Sequence, residues 1–418
     1  MKDLKTIKTW MANNKTVAAV LVTVIVVLLA SLGYEGIYKP YHNRQILTVG
    51  FIYDNEPTTP YSYNFYLAQE AIQKEYGTRV RIMMYSNVLE ENLSDRMKDL
   101  AKNGCNIIFA NGYGNIRALA DEYPDIQFCQ ASNDPYPEDE ARENYHTFKG
   151  EIYQGRYITG VIAGLKLQQM IENGEIEPDQ AKIGFVAAFP YTEVISGYTA
   201  FLLGARSIVP QTTMDVRYTG SWDNFTQEKA RANQLLDEGC MIISQHTDTA
   251  APAIACEEYL DHNVYHIGYN IDMSDVAPHS SLVSTSIDWK TYIGKAVEAM
   301  IKHKRIEDYI DGNVHPMNDM SAGFDKGGVE ITGLNEDILP EGTDKVVERT
   351  IRNLNAGKIK VFMGPYTGVD PADKNKTIDL RKGFVENENS SIPSFGYILD
   401  DVINERNTVT EDNVVVEK

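Results

Sequence analysis

Beyond Tyr34, short apolar runs rich in Val, Ile, Phe and Tyr alternate with longer stretches whose apolar residues recur at helical spacing. That alternation predicts βαβ units around parallel sheets. The expected strands are 46–53 (ILTVGFIY), 79–86, 105–110, 126–131, 182–189, 214–219, 240–245, 264–270 and 282–286. The expected helices are 64–75, 89–102, 151–173, 193–208, 225–238 and 248–260. Strand runs that are apolar on both faces imply sheets covered by helices.

A weak internal repeat adds to this pattern. The segments starting at Leu100 (LAKNGCNIIFANGYGNIRALADEYPDIQFCQAS) and Leu235 (LLDEGCMIISQHTDTAAPAIACEEYLDHNVYHIGYN) share one layout. In each, a helix ends at Gly-Cys, a buried strand follows, a polar loop opens the next helix, and a second strand closes the unit. Two such copies suggest two similar lobes rather than one large sheet, although βαβ units also resemble one another through shared physics. Ligands of open α/β sheets bind outside the carboxyl ends of the strands. The loops after Tyr53, Ala110, Ala131, Phe189, Thr219, Gln245 and Tyr269 are therefore the ones to inspect.

Ahead of this body, residues 17–33 carry no charge and no Pro. At ~1.5 Å per helical residue the run is about long enough to cross a hydrocarbon core of ~30 Å. It is longer than the ~7–15 residues of an ordinary signal core. Lys2, Lys5, Lys8 and Lys15 precede it against the single Asp3, which places the N-terminus inside and the main body outside. A retained anchor is the expectation, with cleavage before Tyr34, at a site whose small residues are Ser31 and Gly33, left open. No Cys lies near the end of the run, so a lipid anchor there has no attachment point.

Charge narrows the partners. The 418 residues carry 59 Asp and Glu against 39 Lys and Arg, a net charge of -20, which repels nucleic acid and anionic membrane surfaces. The four cysteines, Cys105, Cys129, Cys240 and Cys256, form no CxxC pair and sit in or beside apolar runs. Buried thiols are the expectation, and Cys105 with Cys129 is the first guess for a bridge if one forms.

The strand-end loops hold what a flat polar ligand needs. YDNEPTTPYSYNFY offers Tyr61, Tyr63 and Asn64 at a helix start, NGYG offers Asn111 and Tyr113, and GSWD offers Trp222, one of only three Trp. Aromatic rings facing one cleft can sandwich a planar base while Asn and Asp fix its edge. Any single Tyr among the 25 present is as readily a packing residue. QHTDT (245–249) lacks the spacing of a metal pair, so His246 reads as a strand-end residue and Asp248 and Thr249 as caps of the following helix. No phosphate-binding loop and no nucleophile elbow appears. No cofactor, no metal and no catalysis are expected.

AAFPYTEVISGYTAFLLGARSIVP (187–210) resembles the basic membrane protein family of extracellular solute-binding proteins, in particular its purine-binding branch. YQGRYITGVIAG (153–164), GSWDNFTQEKARA (220–232), QHTDTAAP (245–252), GYNIDMS (268–274) and KVFMGP (360–365) follow in family order. The resemblance implies an α/β, two-lobed periplasmic-binding-protein type I fold, with two Rossmann-like parallel-sheet lobes joined by a hinge and preceded by the transmembrane helix. The expected boundaries are 1–16 cytoplasmic, 17–34 span, 35–45 spacer, 46–150 plus 285–320 lobe 1, 151–284 plus 321–402 lobe 2, and 403–418 tail.

It further implies a purine base or nucleoside clamped in the cleft and passed to an ABC permease, with the body outside a single-pass anchor in the cell membrane. Carried over by position, the ligand contacts are Tyr61, Ser62, Tyr63 and Asn64, with Tyr61 and Trp222 as stacking rings. Asn111, Tyr113, Phe189, His246, Asn270, Asp272 and Trp289 complete the expected set. Asn270 stands where the family uses an acid, and SIDW (286–289) keeps Trp289 but replaces an earlier Trp by Ile287. A sensory ectodomain that feeds no importer is the alternative, although 16 residues inside are too few for a folded domain. Nucleoside hydrolysis is disfavoured by the lack of an acid cluster.

Overall fold

The computed structural model describes residues 12–33, 46–131, 142–259 and 263–404. The spacer expected at 35–45, residues 1–11 of the cytoplasmic segment and residues 405–418 of the tail lie outside the described residues.

Helix α1 (Lys15–Gly33) takes up the apolar run, 19 residues with Val24, Leu28 and Leu29 exposed. Among the described residues no helix is long and apolar enough to cross a membrane. The transmembrane helix expected at 17–34 is thus not found among the described residues.

The body consists of two parallel-dominated sheets. In the first lobe β1 (Leu47–Ile52), β2 (Val80–Tyr85), β3 (Ile107–Ala110), β4 (Gln127–Gln130), β5 (Tyr145–Gly150), β11 (Asn313–His315) and β12 (Asp319–Ala322) form a seven-stranded sheet of order β11-β12-β5-β4-β3-β1-β2. In the second, β6 (Lys182–Ala187), β7 (Thr213–Tyr218), β8 (Ile242–His246), β9 (Tyr265–Tyr269), β10 (Ser281–Ile287), β13 (Val329–Thr332) and β17 (Val402–Asn404) follow the order β13-β10-β9-β8-β6-β7-β17. Both sheets thus repeat one doubly wound order, 2-1-3-4-5. The segments of the internal repeat supply the third and fourth strands of each lobe. A small antiparallel sheet of β14 (Thr367–Val369), β15 (Thr377–Asp379) and β16 (Ile398–Leu399) precedes β17 in the chain.

Helices α2 (Pro60–Tyr76), α3 (Glu90–Lys102), α4 (Arg117–Glu122) and α9 (Trp289–Ile301) cover the first sheet, while α5 (Ile152–Glu172), α6 (Thr192–Arg206), α7 (Phe225–Asp237), α8 (Ala251–Glu258) and α10 (Thr343–Asn355) cover the second. β1 is buried at every position, as its two-sided apolar sequence requires, and β8 is buried throughout although it ends in Ser244, Gln245 and His246. α5 and α6 approach closely enough that a Cβ on Gly160 would lie 2.0 Å from the Phe201 carbonyl oxygen. The chain passes between lobes at residues 150–152, around Asp288, and again at 323–328.

All four cysteines are buried and free, so the Cys105–Cys129 bridge is absent. Burial pushes each thiol above its ordinary value, Cys105 to about 11, which leaves them small apolar fillers.

Candidate functional site

The strand ends of the two sheets face one another across the cleft. On the first lobe the chain leaving β1 turns at Asp54, whose backbone N–H donates to Asn111 Oδ1 (2.8 Å). Ser62 Oγ donates to Asp54 Oδ1 (2.9 Å) and accepts from Asn111 Nδ2 (3.1 Å). Ser62 and Asn111 are buried while Asp54 stays open to the cleft, so a rigid polar triad holds one carboxylate toward solvent. Desolvation by the surrounding protein raises that carboxyl's pKa, and the Ser62 and Asn111 hydrogen bonds oppose the rise. Tyr61 donates its hydroxyl to the Asn111 carbonyl (3.1 Å) and meets Trp289 edge-on at 6.0 Å.

The second lobe presents an aromatic wall. Phe189 stacks on Tyr191 at 5.0 Å, Trp222 meets Phe189 edge-on at 5.6 Å, and His246 lies 6.0 Å from Trp222 and 4.6 Å from Tyr269. These residues leave the carboxyl ends of β6, β7, β8 and β9, the edge where open sheets bind ligands. Two contacts bring the walls together: Asn55 Nδ2 donates to Asp223 Oδ2 at 2.5 Å, and Lys149 pairs with Glu193.

Polar groups behind this wall are only partly satisfied. Arg156 on α5 is fully buried, and none of its guanidinium nitrogens makes a hydrogen bond of ordinary geometry. Its charge stacks instead on the Tyr269 ring, 4.0 Å from the centroid. Burial pulls its pKa down to about 10, so it remains charged at neutral pH. The His246 ring is held neutral, well below its ordinary value, by burial and by Arg156 and Lys149, and its Nδ1 has no partner.

Asn270 takes a left-handed φ of 69°, a conformation Asn tolerates better than most residues. Its Nδ2 donates to Asp248 Oδ1 at 3.3 Å while its Oδ1 has no partner. Burial, then Asp54, Glu228, Asp223 and Glu193, push the Asp248 carboxyl well above its usual range. In hydrogen-bonding terms the wall offers both donors and acceptors to a ligand edge.

Of the residues singled out from the sequence, Tyr61, Ser62, Asn111, Phe189, Trp222, His246 and Asn270 converge here. Tyr63 is exposed and stacks on Tyr66 of its own helix at 6.5 Å. Asn64 donates to the Ile287 carbonyl (2.6 Å), tying α2 to the second crossing. Tyr113 is exposed. Exposed Asp272 accepts from the Ser274 backbone N–H in a local turn (2.8 Å). Trp289 is buried in the first lobe's core, edge-on to Tyr61, Phe65 and Phe148.

Asp248 does not cap α8: Thr249 Oγ1 accepts from Ala251 N–H (3.1 Å), and Asp248 turns toward Asn270. Asp54 and Arg156 escaped the sequence reading. Their signals are an acid one residue past the end of the first strand run and a cation inside an otherwise apolar helix face. No group of His, Cys, Asp and Glu suited to a metal occurs among the described residues.

Two lobes of identical strand order, hinged by repeated crossings and closing on an aromatic and polar cleft, define a solute-binding protein of the periplasmic type. A solute-binding protein from Aeropyrum pernix K1 shares this fold, with a TM-score of 0.59 and 15% identity, covering 79% of this chain and 95% of that one. The family model for PnrA-like ABC transporter substrate-binding proteins (Bmp) matches residues 44–361, and the chain belongs to that family. A purine-binding protein from Brucella abortus is 27% identical over 337 residues, spanning 79% of this chain and 87% of the relative. A putative ABC transporter glucose-binding protein from Haloferax volcanii is 31% identical over 237 residues, 56% of this chain and 55% of the relative.

Proposed function

We propose that this protein captures a purine base or nucleoside between its lobes and delivers it to an ABC importer. The observation that carries the reading is the Phe189–Tyr191–Trp222 wall set opposite the Asp54–Ser62–Asn111 triad. A flat base stacks on such rings while its edge pairs with carboxylate and amide groups. The purine-binding relative supports the same ligand class. In this reading Trp222 and Phe189 stack the base, Tyr61, Ser62 and Asn111 orient the first wall, and His246 and Asn270 complete the polar edge. Hinge closure is the only mechanism, and no catalytic step is involved. Calorimetric titration of the full-length chain with adenine, guanine, adenosine, guanosine and inosine tests the reading; no binding to any of them overturns it.

A sugar is the second reading, favoured by the Haloferax relative. Glucose therefore belongs in the same titration, and binding of glucose alone would replace the purine reading.

The apolar run at 17–33, on the strength of its sequence alone, serves in this proposal as a retained single-pass anchor that keeps the binding body outside the cell membrane beside its permease. The full-length protein is then expected to stay with membranes through an alkaline carbonate wash. A mature N-terminus at or near Tyr34 would show instead that the run is removed.

A further inference from the structure

The chain beyond residue 361 lies outside the family match, yet part of it is wedged against both lobes beside the hinge. Residues 386–395 (ENENSSIPSF) form a short loop whose ends are drawn together by one buried carboxylate. Glu386 Oε2 accepts from the backbone N–H groups of Ser394 (3.0 Å) and Phe395 (2.8 Å) and from Ser394 Oγ (2.8 Å). Its Oε1 accepts from Ser196 Oγ on α6 (2.6 Å), and Phe395 stacks on Phe362 at 4.3 Å. The base of the loop therefore belongs to the second lobe's core.

The tip belongs to the other lobe. Asp319 Oδ2, at the start of β12, accepts from Ser390 Oγ (2.9 Å) and Ser391 N–H (2.6 Å). Its Oδ1 accepts from Thr147 Oγ1 on the adjoining strand β5 (2.8 Å), where Asp319 and Thr147 are register partners. Asp319 and Ser391 are both buried. β5 and β12 are also the strands that run out at Gly150 and Ala322 into two of the crossings.

We infer that residues 386–395 are a hinge strap that holds the lobes at the angle seen here and so sets the balance between closed and open forms. Asp319 sits roughly 10 Å along its strand from the crossing, so a lobe rotation of only ~15° moves it by about 2.5 Å relative to the second lobe. Bonds of 2.6 and 2.9 Å do not survive that displacement. The strap bonds therefore belong to the arrangement seen here, in which Asn55–Asp223 and Lys149–Glu193 join the two walls, and are lost when the lobes rotate apart, which adds to the population of this closed form before any ligand arrives. Because apparent affinity scales with the fraction of binding-competent protein, the strap also tunes how tightly the cleft holds its solute.

The test needs no ligand, so its outcome is independent of the purine reading. Nitroxide labels placed through Lys102→Cys on α3 and Gln227→Cys on α7, both exposed positions, report the inter-lobe distance of the full-length chain by dipolar spectroscopy. Asp319→Ala is expected to shift the ratio of long to short distances by about tenfold, since hydrogen bonds to a charged group are lost. Ser390→Ala, a smaller cut that leaves the Ser391 bond, is expected to move it in the same direction by less. Thr147→Ala removes a bond to the same carboxylate within one lobe and is expected to leave the distribution unchanged. Superimposable distributions for wild type, Asp319→Ala and Ser390→Ala would overturn the strap, as would an equal shift in Thr147→Ala.

Discussion

Gly204→Ala is expected to destabilise the protein by at least about 3 kcal/mol, the upper range for overpacking a core. A Cβ on Gly204 would sit 2.1 Å from the Tyr157 carbonyl oxygen and 2.9 Å from the Val161 nitrogen. Both obstacles are backbone, so no side chain can swing aside; α5 and α6 would have to separate. These helices pack the second lobe's core through Ile158, Val161, Phe201 and Leu202, all buried. Separating them opens a void along the whole contact, which adds a cavity penalty to the clash. Denaturant unfolding of wild type and variant measures the difference. A loss below about 1 kcal/mol would mean that the helices do not cross as closely as the structure places them.

Stability should also fall as pH rises through neutrality, because of one buried acid. Glu228, on the first turn of α7, accepts from Thr249 Oγ1 (2.7 Å) and Thr249 N–H (3.3 Å), while its Oε1 has no partner. Burial pushes its pKa from the ordinary 4.5 up to about 7, the Thr249 hydrogen bonds opposing the rise. Below pH 4.5 the carboxyl is protonated in both folded and unfolded chains, and its burial carries no ionisation cost. Between 4.5 and about 7 only the unfolded chain ionises, so the unfolded state is increasingly favoured; above about 7 the cost is complete, on the order of 3 kcal/mol. Glu228→Gln keeps an acceptor for Thr249 without the charge. The stability gap between variant and wild type is therefore expected to grow in favour of the variant from pH 5 to pH 8. Parallel profiles, or a variant that weakens as pH rises, would contradict this account of the site.

The parts of the fold that the sequence announces are those whose residues speak locally. β1, β6, β8 and β9 read as apolar runs because they are covered on both faces, and the Gly-Cys repeat falls on equivalent strands of the two sheets. β5 escaped because YHTFKG is polar yet buried throughout. Its polar side chains are satisfied from far along the chain: His146 by Glu307 at 2.5 Å, Thr147 by Asp319, and Lys149 by Glu193. No periodicity can reveal partners that lie 44 to 172 residues away. Trp289, expected among the ligand contacts, begins α9 and fills the first lobe's core.

The candidate site divides in the same way. Trp222 stood out because a rare aromatic lay in a polar loop, Asn111 because it follows a strand end, and Ser62 only through the resemblance to the family's helix start. Asp248 looked like a helix cap, since an Asp just before a helix most simply caps it; only the fold shows it turned toward Asn270, with Asp54 of the opposite wall among the acids that act on it. Arg156 was hidden inside a helix buried almost along its whole length. Its role in shaping the cleft depends on Tyr269 and His246, which come from separate strands.

The central claim, that a flat purine is held against the second lobe's aromatic wall, is tested most directly by calorimetric titration of the full-length wild type and Trp222→Ala with the five purines and glucose. Wild type is expected to bind at least one purine, and Trp222→Ala to bind it more weakly by about 1–3 kcal/mol, the range for losing a base–aromatic stack. Equal affinity in the two proteins, or binding of glucose alone, would contradict it.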